Sequence, residues 1–209
     1  MQLATLHDLM VHQLKDLYSA ERQLVQALPR MAKNATSRDL QDAIRKHLDQ
    51  TEEQVTRLEQ CFELLGESSR GPRCKGMEGL IEESKDLFEE DVDEDVLDAG
   101  IIANAQRVEH YEIAGYGTVC EYARSMGHEE IAALLEATLE EEKEADQRLT
   151  SLAEGGINAL AERDGDMEED EEADAAEGDL MAEDEAETQP TASRTSGRNG
   201  HTNKGGRKR

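Results

Sequence analysis

The chain has 209 residues, with 49 Asp and Glu against 23 Lys and Arg, a net charge of −26, and only 36% apolar and 3% aromatic residues, where an ordinary domain is about 45–50% apolar on a similar count. Such a charge repels phosphate backbones and anionic membrane surfaces, which argues against a nucleic-acid or membrane-surface role for the body of the protein. No run of about 18 apolar residues is present to span a bilayer, and the opening MQLATLHDLMVHQLKD has none of the features of a secretory signal. Three cysteines, Cys61, Cys74 and Cys120, with no CxxC pair, fit reduced thiols and a cytoplasmic location.

Apolar residues recur at three and four through residues 1–153, which predicts amphipathic helices. The first helix is expected over about 4–33, on Leu6, Met10, Leu14, Leu17, Leu24, Leu28 and Met31, with Pro29 kinking it or breaking its last turn. The second follows Ser37, a suitable N-cap, and runs to Leu65 before Gly66; its stripe reads Leu40, Ile44, Leu48, Val55, Leu58, Phe62 and Leu65. After Gly71, Pro72, Gly76 and Gly79 comes a short amphipathic piece over 77–88. A third long helix is expected over 95–126, on Leu97, Ile101, Ala105, Val108, Val119 and Met126, and a fourth over 128–153, on Ile131, Leu135, Ala145, Leu149 and Leu152. Two hairpins joined by a longer crossover describe an all-α, ferritin-like four-helix bundle. The Gly/Pro-rich crossover and the broken heptads argue against an extended coiled coil.

Composition changes near Gly155–Gly156. From Glu162 to Glu187 there are 15 acids and one base, and from Pro190 onward six bases and no acid, which leaves −8 on 162–209 and −18 on 1–161. The expectation is a bundle domain over 1–156 and a disordered, acidic then basic tail over 157–209, because so few apolar side chains cannot offset the entropy of ordering. The acidic run reads as a solvating tail, with cation gathering or partner binding as its functional alternative. The basic end folds back on those acids or touches nucleic acid weakly, by charge alone.

Carboxylates interrupt the stripes. The run 17, 21, 24, 28 places Glu21 in the core; 48, 52, 55 places Glu52 near the apolar face, with Asp49 beside it; 105, 109, 112, 116 groups Glu109 and Glu112; and 135, 138, 142, 145 puts Glu142 in its stripe. Several buried carboxylates are very unfavourable without a compensating cation, and oxygen-rich donors on facing helices suit iron or manganese. The competing reading is accident in an acid-rich chain, with Arg or Lys partners at the core edge. His47 and His110 neighbour these positions and are either ligands, partners of ligands or helix-flank residues. Tyr18 and Tyr111 lie near them too.

At these residues the chain resembles the YciE/YciF family of ferritin-like bacterial stress proteins. The resemblance is carried by DLYSAERQLVQALPRMA, HLDQTEEQVTRLEQ, CKGMEGLIEE, AQRVEHYEIAGYGT and TLEEEKEADQRLTSLA, in order over nearly all of 1–155. It implies a carboxylate-bridged centre of two iron ions per chain, or manganese or a mixed Fe/Mn pair, in a homodimer. The implied ligands are Glu21, Glu109, Glu112 and Glu142. On the second helix the family's Glu-x-x-His or Glu-x-x-Glu is met by Asp49-Gln50-Thr51-Glu52, where the shorter Asp49 makes Glu52 the better donor; Asp146 ranks behind them.

Two functions follow from this reading. One is a redox enzyme that oxidises Fe(II) with O2 or peroxide, the acidic surface concentrating Fe(II) at the entry. The other is a non-enzymatic stress protein with a structural metal and a partner-binding tail. Metal storage would require a large shell. The excess of surface acid is also consistent with a salt-rich cytoplasm.

Overall fold

The computed structural model describes residues 3–163, and the expected tail lies, from residue 164 on, outside the described residues. All regular structure within them is helical: α1 (Leu6–Asn34), α2 (Arg38–Leu65), α3 (Lys75–Leu87), α4 (Glu94–Ser125) and α5 (Glu129–Leu152), followed by a π-helical turn over Ala153–Ile157. The ends are set by local chemistry. Thr5 and Asp8 form a capping box at the start of α1, and the Ser37 hydroxyl accepts from the Leu40 N–H at the start of α2. At the end of α2, Gly66 takes φ +66°, a left-handed conformation that glycine adopts without strain.

α1 continues through Pro29 to Asn34 rather than breaking at its last turn. The chain also stays ordered past Gly156. Ile157 is buried against the core and 158–163 is helical, so the bundle extends beyond the expected boundary.

Side-chain pairs give the topology. Thr36 meets Asp98 and Glu21 meets Tyr116, so α1 and α4 run antiparallel. Gln54 meets Glu142 and Arg57 meets Thr138, so α2 and α5 run antiparallel. The three-residue link between α1 and α2 makes a hairpin, as does the one between α4 and α5. The order is therefore up, down, down, up, and because α2 and α4 point the same way the chain must return along the bundle between them. Residues 66–93, with α3 in the middle, make that return. This is the ferritin-like arrangement the periodicity predicts.

The core is two apolar clusters. One gathers Leu24, Leu28, Met31, Leu40, Ile44, Ile101, Val108 and Leu149 with α3; the other gathers Met10, Leu14, Leu17, Leu58, Phe62, Val119, Ile131 and Leu135. A layer of buried polar side chains lies between these two sets of positions on every long helix.

Asp98, only 2% exposed, fixes the α1–α2 corner. Its carboxylate accepts from the Thr36 N–H at 2.8 Å, the Ser37 N–H at 2.7 Å and the Thr36 hydroxyl at 2.8 Å. Asp98→Ala removes the acceptor of two backbone donors and one hydroxyl and is expected to cost about 1–3 kcal/mol. Urea unfolding with tryptophan-independent circular dichroism checks this, and a loss under about 0.5 kcal/mol would remove Asp98 from that role.

Candidate metal centre

Each long helix contributes to the polar layer because its core-facing stripe changes character at mid-helix. On α1, Glu21 stands between Leu17 and Leu24 and is fully buried. On α2 the stripe runs Ile44, His47, Thr51, Gln54, Leu58, all of it buried. On α4 it runs Val108, Glu109, Glu112, Tyr116, and on α5 Leu135, Thr138, Glu142. His47, Glu109, Glu112 and Glu142 each offer one donor atom, and these atoms all lie within 4.8 Å of one another. His47 Nε2 is 3.4 Å from Glu109 Oε1 and 4.0 Å from Glu142 Oε2.

Glu21 sits beside this group and is held by the Tyr116 hydroxyl, which donates to its Oε1. Gln54 donates to Glu142 Oε1, and also to Glu141 Oε2 at 3.1 Å. Glu141 is clamped by Arg57 through bonds of 2.6 and 2.7 Å. These contacts leave Glu21 Oε2, Glu109 Oε2, both oxygens of Glu112, Glu142 Oε2 and both nitrogens of His47 buried without a protein partner. Orphaned buried acceptors of this kind are costly and rare. Carboxylate and imidazole donors converging without a base to pair them fit a hard or borderline metal cation.

Two of the sequence-based placements are corrected. Asp49 and Glu52 are exposed on α2 and lie outside the cluster, where His47 stands for that helix. His110 is 68% exposed and 3.5 Å from Asp146, so this pair also stands apart. Tyr18 donates to Glu59 and Tyr111 to Asp16, away from the donors. Tyr116 and Gln54, which orient Glu21 and Glu142, were not anticipated, although both are polar residues at stripe positions.

Burial drives the electrostatics. It pushes Glu21, Glu109 and Glu112 well above the usual carboxylate range, and each is raised further by its carboxylate neighbours. Glu142 is raised to about 7, again chiefly by burial. Glu109 is raised further by the neighbouring Glu142 carboxylate. Burial lowers His47 to about 4, so its imidazole is neutral and has a lone pair to donate. A cavity of ≈ 490 Å³ between α2 and α5 has Leu28, Ile44 and Leu149 among its walls and reaches His47 and Glu109.

A pH dependence of the metal-free protein follows. Glu142 at about 7 in the fold against an ordinary 4.5 means the folded state holds more protons, so stability falls as pH rises through that window, by about 3 kcal/mol for this group. Glu21, Glu109 and Glu112 act in the same direction. His47, lowered from 6.5 to about 4, gains stability for the fold as pH rises across that interval and opposes them. Four carboxyls outweigh one imidazole. Calorimetry of metal-stripped protein is expected to show Tm falling between about pH 5.5 and pH 8, and a saturating divalent metal to abolish the fall. A flat or rising Tm would contradict the convergence of buried acids.

Comparisons with known proteins agree with this architecture. Residues 5–162 match the family described as Domain of unknown function (DUF892). Protein YciF of Escherichia coli (strain K12) is 43% identical over 165 residues, which is 78% of this chain and 98% of YciF. The crystal structure of the E. coli stress protein YciF superposes with a TM-score of 0.72 at 42% identity, covering 75% of this chain and 99% of that one. YcfI of Rhodopseudomonas palustris, described as a candidate structural protein, gives a TM-score of 0.70 at 45% identity, over 72% of this chain and 96% of that one. A family match over three quarters of the sequence, with a relative that close in both sequence and structure, establishes that the chain belongs to the YciF-like family, DUF892.

Proposed function

We propose that this YciF-like stress protein holds two iron ions in the polar layer and oxidises Fe(II) with O2 or peroxide. The observation that carries the reading is the set of buried, unpartnered donor atoms that α2, α4 and α5 bring to one place, with the unpartnered Glu21 Oε2 of α1 buried beside them. Glu109, Glu112, Glu142 and His47 would hold the metal together with Glu21. Manganese or a mixed Fe/Mn pair suits the same oxygen-rich donors. When bound, iron supplies the one-electron Fe(II)/Fe(III) couple that such chemistry needs.

The protein's own residues do the rest. Tyr116 and Gln54 fix Glu21 and Glu142 through one oxygen each and so leave the second oxygen free. The Arg57–Glu141 clamp sits behind Gln54 and restrains its amide. Carboxyl groups that burial raises must lose their protons when a cation enters, so metal binding releases protons and tightens as pH rises. Apolar clusters on both sides keep bulk water away, and the cavity between α2 and α5 supports a route for a small oxidant.

A structural metal is the second reading, favoured by how completely the donors are enclosed: Glu112 and Glu142 have no exposed surface. Anaerobic Fe(II) titration with metal counting, followed by absorbance after O2 or peroxide is added, separates the two. The expected outcome is two irons per chain and rapid oxidation. Tight binding without oxidation would favour the structural metal, and no binding would overturn both.

Glu112→Ala and Glu142→Ala are expected to lose stoichiometric iron, whereas Asp49→Ala and Glu52→Ala retain it. Tyr116→Phe, which removes only the bond to Glu21, is expected to weaken binding about 10–100-fold. The family resemblance also supports a cytoplasmic homodimer; sedimentation is expected to show one species of twice the chain mass.

A further inference from the structure

In a chain of net charge −26, one surface depression is lined by four cations and, among the described residues, by no acid. It lies between α1 and the segment 66–73, has a volume of ≈ 640 Å³, and gathers Lys15 and Arg22 from the helix with Arg70 and Arg73 from the segment. The segment is fixed there. The Cys74 N–H donates to the Ser19 hydroxyl at 2.8 Å, and the buried Gln23 amide donates to the Cys74 carbonyl at 3.1 Å. Gly71 rests directly on α1, since a Cβ there would stand 2.8 Å from Lys15 Cβ.

The charges are largely uncompensated. Arg73 meets Glu78 at 2.8 Å, while no ion pair of Lys15, Arg22 or Arg70 is found among the described residues. Arg22 instead lies 5.7 Å from the centre of the Tyr18 ring. Like charges held side by side repel, and the acids Glu52 and Glu59 line the adjoining depression, which shares Tyr18 and Arg22, rather than this one.

We propose that this depression binds a small anion carrying two or more phosphates. Guanidinium forks and an ammonium match phosphate oxygens in bidentate and point-charge fashion respectively. The volume falls within the range of about 300–1,000 Å³ seen for small-molecule sites and exceeds what a single phosphate fills. Carboxylates and hydroxyl-rich ligands would leave most of the four charges unmatched. The site is separate from the metal centre: Arg22 is exposed, about 100° around α1 from the buried Glu21.

The test is calorimetric titration of inorganic tripolyphosphate into the full-length chain, metal-stripped so that the probe meets no iron. One anion per chain is expected, with affinity falling steeply as NaCl is added. Arg70→Ala and Lys15→Ala are each expected to weaken binding about tenfold. Lys33→Ala and Arg38→Ala, which remove the same charge from exposed positions elsewhere, are expected to leave it unchanged. Iron stoichiometry is expected to be the same in all four variants, which separates this site from the proposed oxidation. Absence of binding, or equal weakening in all four variants, would overturn the proposal.

Discussion

Burial of four carboxylates and one imidazole in a single layer is the constraint around which this bundle is organised. Ionised carboxylates placed together away from water cost several kcal/mol each unless protons or a cation compensate them. Here protons do so in the absence of metal, as the raised Glu21, Glu109, Glu112 and Glu142 indicate. The layer also divides the apolar interior in two, so each end of the bundle must close on its own cluster. A chain that is only 36% apolar achieves this by placing most of its large aliphatic side chains in or against those two clusters. Asp98 shows the same economy at the α1–α2 corner, where one carboxylate satisfies two backbone donors that no apolar residue could.

Topology follows from the layer as much as the layer follows from topology. Donors from α2, α4 and α5 converge, with Glu21 of α1 beside them, only if all four helices pass the same level with their stripes inward. With α2 and α4 running the same way, that requires a connection as long as the bundle itself. The return segment is held by specific contacts rather than by bulk. Gly76 lets α3 approach the Tyr111 ring, which a Cβ would meet at 2.7 Å. Tyr111 in turn bonds Asp16, with the Cys74 thiol 3.0 Å from its hydroxyl. The residue beside Glu112 in sequence therefore ties α4 to α1 and to the start of α3.

Periodicity made the helices, the hairpins and the crossover legible, because apolar spacing and capping residues are local signals. It also made Glu21, Glu109, Glu112 and Glu142 legible as core positions, since each falls in a stripe with unambiguous apolar neighbours on both sides. It failed on α2 for a physical reason. The core-facing positions there between Ile44 and Leu58 are His47, Thr51 and Gln54, all polar, while Leu48 and Val55 flank them half-buried. Following the apolar residues shifts the phase by one and points to Glu52. Extending the 3-4 rhythm inward from Leu40–Ile44 and from Leu58–Cys61 finds 47, 51 and 54 instead. Asp98 was hidden by the same effect, because the stripe was drawn through Leu97, which is half-buried, while the buried position is the acid beside it.

Charge in this protein is sorted rather than spread. The acids that face inward stand at one level, where only a cation or shared protons can compensate them. The cations Lys15 and Arg22 of α1 and Arg70 and Arg73 of the segment that Ser19 and Gln23 pin to it stand together outside. In both places the fold holds like charges close against their repulsion, and in both it does so with rigid supports: Tyr116 and Gln54 within, Ser19 and Gln23 at the surface. Free side chains would disperse to relieve such repulsion. Supports that prevent dispersal lower the cost of binding an ion of opposite sign, because the ordering is already built into the fold.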